Sequence, residues 1–277
     1  MADPRLYQIG TLAALLVYGM AWLDFDITPI RAALILATAL ATQRVCDRLS
    51  GSGVPFASTS RSALISGLSL CLLVRSNFHL LACLAAVIAI ASKSLIRISG
   101  KHVFNPTDGA IVALLLVTKQ VWVSPGQWGT AAFFAFLMAC AGSLVVTRAA
   151  RADVSLAFIA AFSLLVFGRS LYVGEPLAIP LHRLESGAFL LFSFFMISDP
   201  KTTPDSRVGR VLFAALVAAT AWYVQFRLFR TNGLLWSLAM WSMAVPILDR
   251  AFPAARYQWT RPAAGPTPLP VPAARAA

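Results

Sequence analysis

The sequence predicts an all-α, polytopic membrane protein of about ten transmembrane helices in two inverted five-helix repeats. The first observation behind this prediction is composition: 58% of the 277 residues are hydrophobic and only 12% are charged, about half the charged fraction of a soluble domain. The second is that the charged residues divide the chain into ten apolar runs. The third is an unequal distribution of basic residues between alternate loops, which is typical of membrane proteins.

Each apolar run between charged residues is interpreted as one crossing. A straight helix needs roughly 20 residues to cross a bilayer, and several runs approach or exceed that length. The first run has no clear small-residue cleavage site after it, so we expect a retained helix rather than a removed signal. The runs are 6–23, 32–43, 62–74, 76–92, 109–118, 120–147, 154–168, 186–198, 211–226 and 231–248.

The basic residues indicate the orientation of these crossings. With ten crossings and both termini in the cytoplasm, 16 of the 23 basic residues lie in cytoplasmic loops. The others are Arg31, Arg75, Lys119, Arg169, Arg183, Arg227 and Arg230. If the short run 109–118 instead enters and leaves on one side, the tally becomes 12 inside and 11 outside. The positive-inside rule therefore favours ten crossings and cytoplasmic termini.

Ten crossings divide into five and five, and an odd number in each half makes the two halves inverted. We expect one transmembrane domain over 1–250, with repeat one at about 1–119 and repeat two at about 120–250. Runs 62–74 and 186–198 then correspond, and both are 13 residues long. Short segments at matching positions point to a midplane binding site. The alternative is that both helices extend through flanking polar residues to normal length.

The net charge of +12 does not indicate a nucleic-acid partner, because the basic residues are spread over short loops and accompany no nucleic-acid motif. Membrane lipids are the expected partner of these charges. Residues 251–277 are rich in Pro, Ala and Arg and contain no acidic residue. They predict a flexible cytoplasmic tail that can lie on anionic headgroups.

Two polar turns interrupt the apolar sequence, Asn-Pro-Thr-Asp at 105–108 and Ser-Asp-Pro-Lys-Thr-Thr at 198–203. Proline disfavours helix in the preceding residue and suits the first turn of a new helix. Threonine and aspartate can cap the exposed amides there, which makes such a turn a good seat for an anion. The alternative is a pair of ordinary capped loops.

A third stretch, Ser-Gly-Ala at 186–188, would let a neighbouring helix or a flat ligand approach the backbone closely. Together these stretches provide the candidate cofactor-binding residues. They are Asn105, Pro106, Thr107, Asp108, Ser186, Gly187, Ser198, Asp199, Lys201, Thr202 and Thr203.

No catalytic or metal-binding motif accompanies these candidates. The sequence has no Walker loop, no HExxH and no Ser/His/Asp arrangement, so nothing indicates hydrolysis. The three histidines, His79, His102 and His182, are isolated at segment ends. For the four cysteines we expect packing roles, with a disulfide or an iron–sulfur site as the alternative.

Three stretches, in this order, resemble the RnfD-type membrane component of Rnf electron-transport complexes and its relative, the NqrB-type component of sodium-translocating NADH:quinone oxidoreductase. HVFNPTDGAIVALLL at 102–116 resembles the Asn-Pro turn and following helix of that family. ESGAFLLFSFFMISDPKTTPDSRVGR at 185–210 resembles its stretch from Ser-Gly-Ala to Asp-Pro-x-Thr-x-Pro, and NGLLWSLAMWSMAVPILDR at 232–250 its last helix. WVSPGQWG at 122–129 is similar to a shorter, stand-alone UnbU-like branch.

The resemblance implies a urea-transporter-like fold in a bacterial inner membrane and flavin-linked electron transfer, often coupled to Na⁺ or H⁺ movement. Family members can hold a covalent flavin on the Thr of a Ser/Thr-Gly/Ser-Ala-Thr motif, which is missing here. Residues 186–188 are followed by Phe189, and the link KQVWVSPGQWG at 119–129 supplies no such Thr. The resemblance therefore implies noncovalent FMN or riboflavin rather than covalent FMN.

Three functions remain open at this stage. The first is a redox subunit, at most an electron-transfer member of an oxidoreductase complex, that holds or scaffolds the flavin beside Phe194, Phe195 or Trp222. It would need other membrane or periplasmic redox proteins, because the sequence contains no soluble nucleotide-binding or ferredoxin domain. The second is a transporter or channel for a small solute or ion. The third is a structural subunit of a larger membrane complex.

Overall fold

The structure, a computed structural model, describes residues 3–23, 25–51, 53–123 and 132–258. Every one of the ten apolar runs contains a helix, as predicted, and two short helices, α8 and α12, are additional to the prediction. The helices are α1 (Pro4–Trp22), α2 (Pro29–Ser50), α3 (Phe56–Leu73), α4 (His79–Leu95), α5 (Pro106–Val117), α6 (Ala132–Arg148), α7 (Ala152–Val173), α8 (Ala178–Leu184), α9 (Gly187–Leu191), α10 (Arg207–Phe226), α11 (Gly233–Ser242) and α12 (Val245–Ala251).

Two small antiparallel ribbons connect helix ends in this otherwise helical protein. β1 (Val74–Ser76) pairs with β4 (Val121–Val123), and β2 (Arg97–Ile98) pairs with β3 (Lys101–His102). Backbone amides and carbonyls that are cut off from water need partners within the protein. Pairing two short connecting segments supplies those partners without lengthening either helix.

The helices have the length and composition expected of a multi-pass membrane protein. By these two criteria, α3, α7 and α10 can each cross a bilayer, and the described part also contains shorter apolar helices, among them α4 and α5. Many large apolar side chains point outward; Leu164 and Leu171 on α7 are 75% and 71% exposed. We conclude that the chain is a helical, multi-pass membrane protein.

The two short runs behave differently. Run 62–74 belongs to α3, which extends back to Phe56 and reaches 18 residues, so the expectation of a short segment is wrong there. Run 186–198 stays short: α9 has five residues and passes directly into a π-helical turn, Phe192–Met196. The difference follows from the flanking residues. Serine hydroxyls in α3 donate hydrogen bonds to carbonyls of the preceding helical turn. The helix can therefore continue through residues that are not apolar.

Some helix contacts of the first half of the chain have counterparts in the second half, although the extensive α2–α3 contact has only a weak one, between α7 and the π-helical turn. In the first half, α2 packs against α4, α4 against α5, and α1 against α3. In the second half, α7 packs against α10, α10 against α11, and α6 against α9 and the π-helical turn. The halves meet through contacts of α5 with α11 and of α1 with α6.

A cluster of phenylalanines holds the broken segment against α7. Phe158 lies 5.8 Å from Phe189 and 5.0 Å from Phe192 between ring centroids, and Phe162 lies 5.3 Å from Phe189. All four rings are buried. Tilted and offset ring contacts of this kind contribute beyond their buried area, so they fix the position of α9 and the π-helical turn.

The first residues of the expected tail lie against the protein. The Arg151 guanidinium lies 4.7 Å from the centroid of the Tyr257 ring, and Lys201 Nζ donates to the Tyr257 carbonyl at 3.1 Å. The remaining tail, 259–277, and most of the 122–129 stretch lie outside the described residues. The four cysteines are free thiols.

The contact between α6 and the π-helical turn can be tested at Gly142. A Cβ on Gly142 would lie 2.4 Å from Cγ and 2.7 Å from Cβ of Phe194, atoms that cannot move without shifting the turn. Gly142→Ala should therefore destabilise the protein by about 1–3 kcal/mol through overpacking. Gly168 in α7 has no heavy atom within 4 Å of such a Cβ. Gly168→Ala should be neutral or stabilising by up to about 1 kcal/mol, because alanine favours helix. Unfolding of both variants in the same detergent checks this, and equal effects would contradict the contact.

Candidate functional site

A polar cavity of about 560 Å³ lies between the two predicted turns. Its wall is formed by α1 to α5, the β2–β3 hairpin and the end of the π-helical turn. The residues used below are Ser62, Ser66, Ser69, Lys93, His102 and Lys201. A cavity of this size, lined by several convergent polar groups and a few apolar side chains, is typical of a small-molecule site.

The first turn begins a helix, as predicted. The Asn105 side-chain oxygen accepts hydrogen bonds from the amides of Thr107 at 3.1 Å and Asp108 at 3.2 Å, and Pro106 occupies the first turn of α5. The Asn105 amide nitrogen also donates to the carbonyl of Met196 at 3.2 Å. One buried side chain therefore caps α5 and ties it to the end of the π-helical turn, 91 residues away in sequence.

The second turn does not begin a helix, so that part of the prediction is wrong. The Asp199 carboxylate accepts from the Lys201 amide at 3.0 Å, and the Asp199 carbonyl accepts from the amides of Thr202 and Thr203, both at 3.1 Å. These bonds close a compact turn, and α10 begins only at Arg207, with Ser206 as its N-cap. Burial raises the pKa of Asp199 above the usual aspartate value, although the Lys201 amide and nearby cations oppose the shift.

The predicted residues divide into three groups. Six of them line the polar cavity, and they are Asn105, Pro106, Thr107, Ser198, Asp199 and Lys201. Three others, Asp108, Thr202 and Thr203, are buried near it but are not part of its lining. The last two, Ser186 and Gly187, lie at the other end of the broken segment.

The residues beside the cavity have structural contacts. Thr203 accepts a hydrogen bond from Arg151 Nε at 3.3 Å, and its carbonyl accepts from Lys101 Nζ at 2.8 Å. The Asp108 carboxyl is fully buried, and neither of its oxygens has a hydrogen-bond partner among the described residues. Burying a carboxyl in this way is costly.

A second cavity, of about 540 Å³, contains Ser186 on its wall and is lined mainly by apolar and aromatic side chains. The Ser186 hydroxyl caps α9 by accepting from the Phe189 amide at 3.4 Å. Gln225 and Arg230, near the far end of α10 from the Asp199 turn, line the same cavity. The structure therefore does not bring Ser186 and Gly187 to the polar cavity. Met196 lines both cavities.

Several cavity residues were not predicted from the sequence. On α3, serines and a threonine recur on one helical face, at positions 58, 59, 62, 66 and 69, and all five line the cavity. This spacing is the available signal, because polar residues at i, i+4 and i+7 in an otherwise apolar helix share one face. Lys93 and His102 had no comparable signal, since both lie in a mixed polar connection after the apolar run 76–92 and no helical spacing sets them apart.

Lys93 and His102 have unusual surroundings. The Lys93 side chain is 6% exposed, and its Nζ donates to the carbonyl and hydroxyl of Ser62 at 2.9 and 3.1 Å. The Nδ1 atom of His102 is buried without a hydrogen-bond partner among the described residues. Burial lowers the pKa of His102 to about 4, with Arg97 and Lys93 acting in the same direction and a backbone contact of Lys93 opposing it. His102 is therefore neutral at physiological pH.

Comparison with known proteins identifies a family match over the second half of the chain. A family model described as the NQR2, RnfD, RnfE family matches residues 117–258. The chain is also similar to proteins named as the D component of an ion-translocating oxidoreductase complex in Escherichia coli strain K12 and in Shigella boydii serotype 18. Each is 29% identical over 128 residues, which are 46% of this chain and 32% of the relative. The family match includes the Asp199 turn and excludes the Asn105 turn.

The double role of Asn105 can be separated by mutation. Asn105→Ala removes both capping bonds and the bond to Met196, and should cost about 2 kcal/mol or more. Asn105→Ser keeps a capping oxygen without adding a charge and loses the amide donor, so a smaller loss is expected. The control Thr28→Ala removes one local cap, the bond from the Arg31 amide at 3.2 Å, and should cost about 1 kcal/mol. Chemical unfolding in detergent checks the order, and an Asn105→Ala loss no larger than that of Thr28→Ala would contradict the link.

The low pKa of His102 predicts a pH dependence of stability. The unfolded chain binds a proton at this residue near pH 6.5, whereas the folded protein does so only near pH 4. The free energy of unfolding should therefore fall as the pH drops from 6.5 towards 4, and the contribution of His102 should be constant above that window. His102→Gln cannot titrate and should show a shallower fall. Melting temperatures of both proteins across this range check the expectation, and parallel curves would contradict it.

Proposed function

The chain belongs to the NQR2, RnfD, RnfE family, and from this premise we propose that it is a membrane subunit of an ion-translocating electron-transport system. In this role it holds a noncovalent flavin in the polar cavity and passes electrons between partner subunits. Its sequence shows no nucleotide-binding or ferredoxin motif, so the proposed donors and acceptors are other membrane or periplasmic redox proteins. Its own role is electron transfer or scaffolding rather than catalysis.

The proposed topology is ten crossings of a bacterial inner membrane, with inverted five-helix repeats and both termini in the cytoplasm. Two observations support it. Three packing pairs of the first half, α1–α3, α2–α4 and α4–α5, have counterparts in α6–α9, α7–α10 and α10–α11. The basic residues are more frequent in the loops that this topology places inside. The polar cavity and both turns then face the cytoplasm.

The polar cavity fits the chemistry of a flavin. An isoalloxazine ring needs apolar contact with its faces and hydrogen bonds to its polar edge. Phe195, Met196 and Ile65 provide apolar surface on the cavity wall, and the hydroxyls of Ser66 and Ser69 provide polar groups. Phe195 is one of the three aromatic residues expected beside the flavin. The other two are placed elsewhere: Phe194 packs against Gly142, and Trp222 is not part of the described cavity lining.

The chain's residues would position the ring and control its protons, while the bound flavin supplies the capacity to take up and release electrons. His102 lines the cavity wall and, being neutral, provides a polar ring there without adding charge. Asn105 keeps the two halves of the cavity wall together. The single observation that carries the proposal is this polar cavity, bounded on one side by the Asp199 turn within the family match.

A transport function is the second candidate, and Met196 favours it. The side chain of Met196 lines the polar cavity and also the apolar cavity. The two openings are therefore close neighbours within the bundle. A small solute or ion would cross at this residue. Uptake of a small solute or ion into liposomes that contain the protein alone, without a redox partner, would support transport and argue against a redox role.

A purely structural role in a larger membrane complex is the third candidate. It predicts a protein that purifies without cofactor and shows no flux.

Flavin binding can be tested by spectroscopy of the gently solubilised protein. We expect visible flavin absorbance that is released by acid or heat, as noncovalent binding requires. Ser69→Phe fills the cavity and should abolish it, whereas Ser60→Phe, on the same helix but outside the cavity lining, should not. Melting temperatures show whether either variant is unfolded. A flavin-free spectrum of a folded wild-type protein, also after adding FMN or riboflavin, would contradict the proposal.

A further inference from the structure

The apolar cavity of about 540 Å³ has no part in the proposed flavin site. Its wall follows the broken segment inward from Ser186 through Phe189 and Phe192 to Met196, and Phe162 of α7 also lines it. These three rings and the Met196 side chain are buried. The inner part of the cavity is therefore an apolar space within the helix bundle.

The outer part of the same cavity is polar and cationic. Arg183 in α8 and Arg230 in the connection between α10 and α11 line it, together with Gln225 and Thr231. Both arginines are exposed. Glu185 lies outside the lining, and the described residues that form the cavity include no aspartate or glutamate. The cavity thus joins a buried apolar interior to an exposed cationic mouth.

The two guanidinium groups at this mouth have no counter-ion in the described part of the chain. No carboxylate there lies within 4.0 Å of Arg183 or Arg230. The guanidinium carbons of Arg183 and Arg169 lie 4.8 and 4.6 Å from the centroid of the Phe226 ring. Arg169 differs from Arg183 because Glu175 pairs with it at 2.7 Å. Arg183 and Arg230 therefore remain available to an anion.

Membrane orientation does not explain these two arginines. The proposed topology places both in outer loops, where the positive-inside rule favours few basic residues. They come from different loops and yet line one cavity. Phe229, next to Arg230, also lines the mouth and is 84% exposed. Exposed apolar and basic side chains occur together where hydrocarbon meets lipid headgroups. The mouth therefore has the character of a surface that faces lipid.

We propose that the apolar cavity binds an anionic phospholipid, with one acyl chain in the cavity and the phosphate at Arg183 and Arg230. This site is separate from the proposed flavin site and does not depend on it. Guanidinium groups bind phosphate oxygens through paired N–H donors. The apolar interior accepts an acyl chain of any lipid, whereas the arginines select the headgroup. In a zwitterionic lipid, the headgroup's own cation competes with them for the phosphate.

The headgroup is tested by native mass spectrometry of the full-length protein, stripped of lipid in detergent. Phosphatidylglycerol should bind about tenfold more tightly than phosphatidylcholine with the same acyl chains, as one charge-assisted hydrogen bond allows. Arg230→Met should reduce the affinity for phosphatidylglycerol to the phosphatidylcholine level, and Arg183→Met should act in the same way. The matched control Arg227→Met, in the same connection but outside the cavity lining, should leave the preference intact.

The acyl chain is tested by filling the cavity. Ala188→Phe, on the cavity wall, should abolish binding of phosphatidylglycerol. Ala160→Phe, on the exposed surface of α7 and outside the lining, should not. Melting temperatures show whether each variant is folded, and a folded Ala188→Phe protein that binds the lipid normally would contradict the insertion of the chain.

Two further outcomes would overturn the proposal. The first is equal affinity for phosphatidylglycerol and phosphatidylcholine, or equal effects of Arg230→Met and Arg227→Met. The second is binding of oleate but not of phosphatidylglycerol, which would assign the cavity to a free long-chain carboxylate instead of a phospholipid. None of the five variants changes a residue of the polar cavity lining, so each should leave flavin absorbance unchanged.

Discussion

The need to satisfy backbone hydrogen bonds away from water governs this structure. Where a helix ends inside the bundle, its free amides and carbonyls require partners from the protein. The Asn105 side chain provides partners at two such ends. Its oxygen accepts from the first amides of α5, and its NH₂ group donates to the Met196 carbonyl at the end of the π-helical turn. Because α5 and the π-helical turn come from opposite halves of the chain, this one side chain joins the halves at the cavity.

The cavity follows from that arrangement. Segment 105–108 begins α5 and segment 198–203 follows the π-helical turn, and α3 faces the space between them with a row of serines. Polar groups are tolerated there because they line a cavity instead of facing lipid. The fold thus produces a hydroxyl-rich chamber beside apolar Met196 and Phe195, which is the basis of the flavin proposal. The second, apolar cavity arises on the other side of the same π-helical turn.

Much of this could be predicted from the sequence, because apolar runs and proline signals are local. Each of the ten apolar runs contains helix in the structure, and the helix start at Asn105-Pro106 is confirmed. The Asp199 turn resembles the Asn105 turn in sequence. In the structure, however, Asp199 accepts hydrogen bonds from the amides of the residues that follow it, and α10 begins only after its N-cap, Ser206. The sequence pattern predicts that Ser186 joins the two turns in one site. In the structure, the segment that begins at Ser186 runs through the bundle, and Ser186 lines the apolar cavity instead of the polar one. Lys93 and His102 could not be predicted, since only tertiary packing buries them together.

The central claim is that the polar cavity between the Asn105 and Asp199 turns is a flavin site. A cryo-electron microscopy map of the protein with added FMN tests it most directly. The account predicts planar density within the cavity, beside Ser69 and His102. An empty polar cavity, or flavin density confined to the apolar cavity at Ser186, would contradict it.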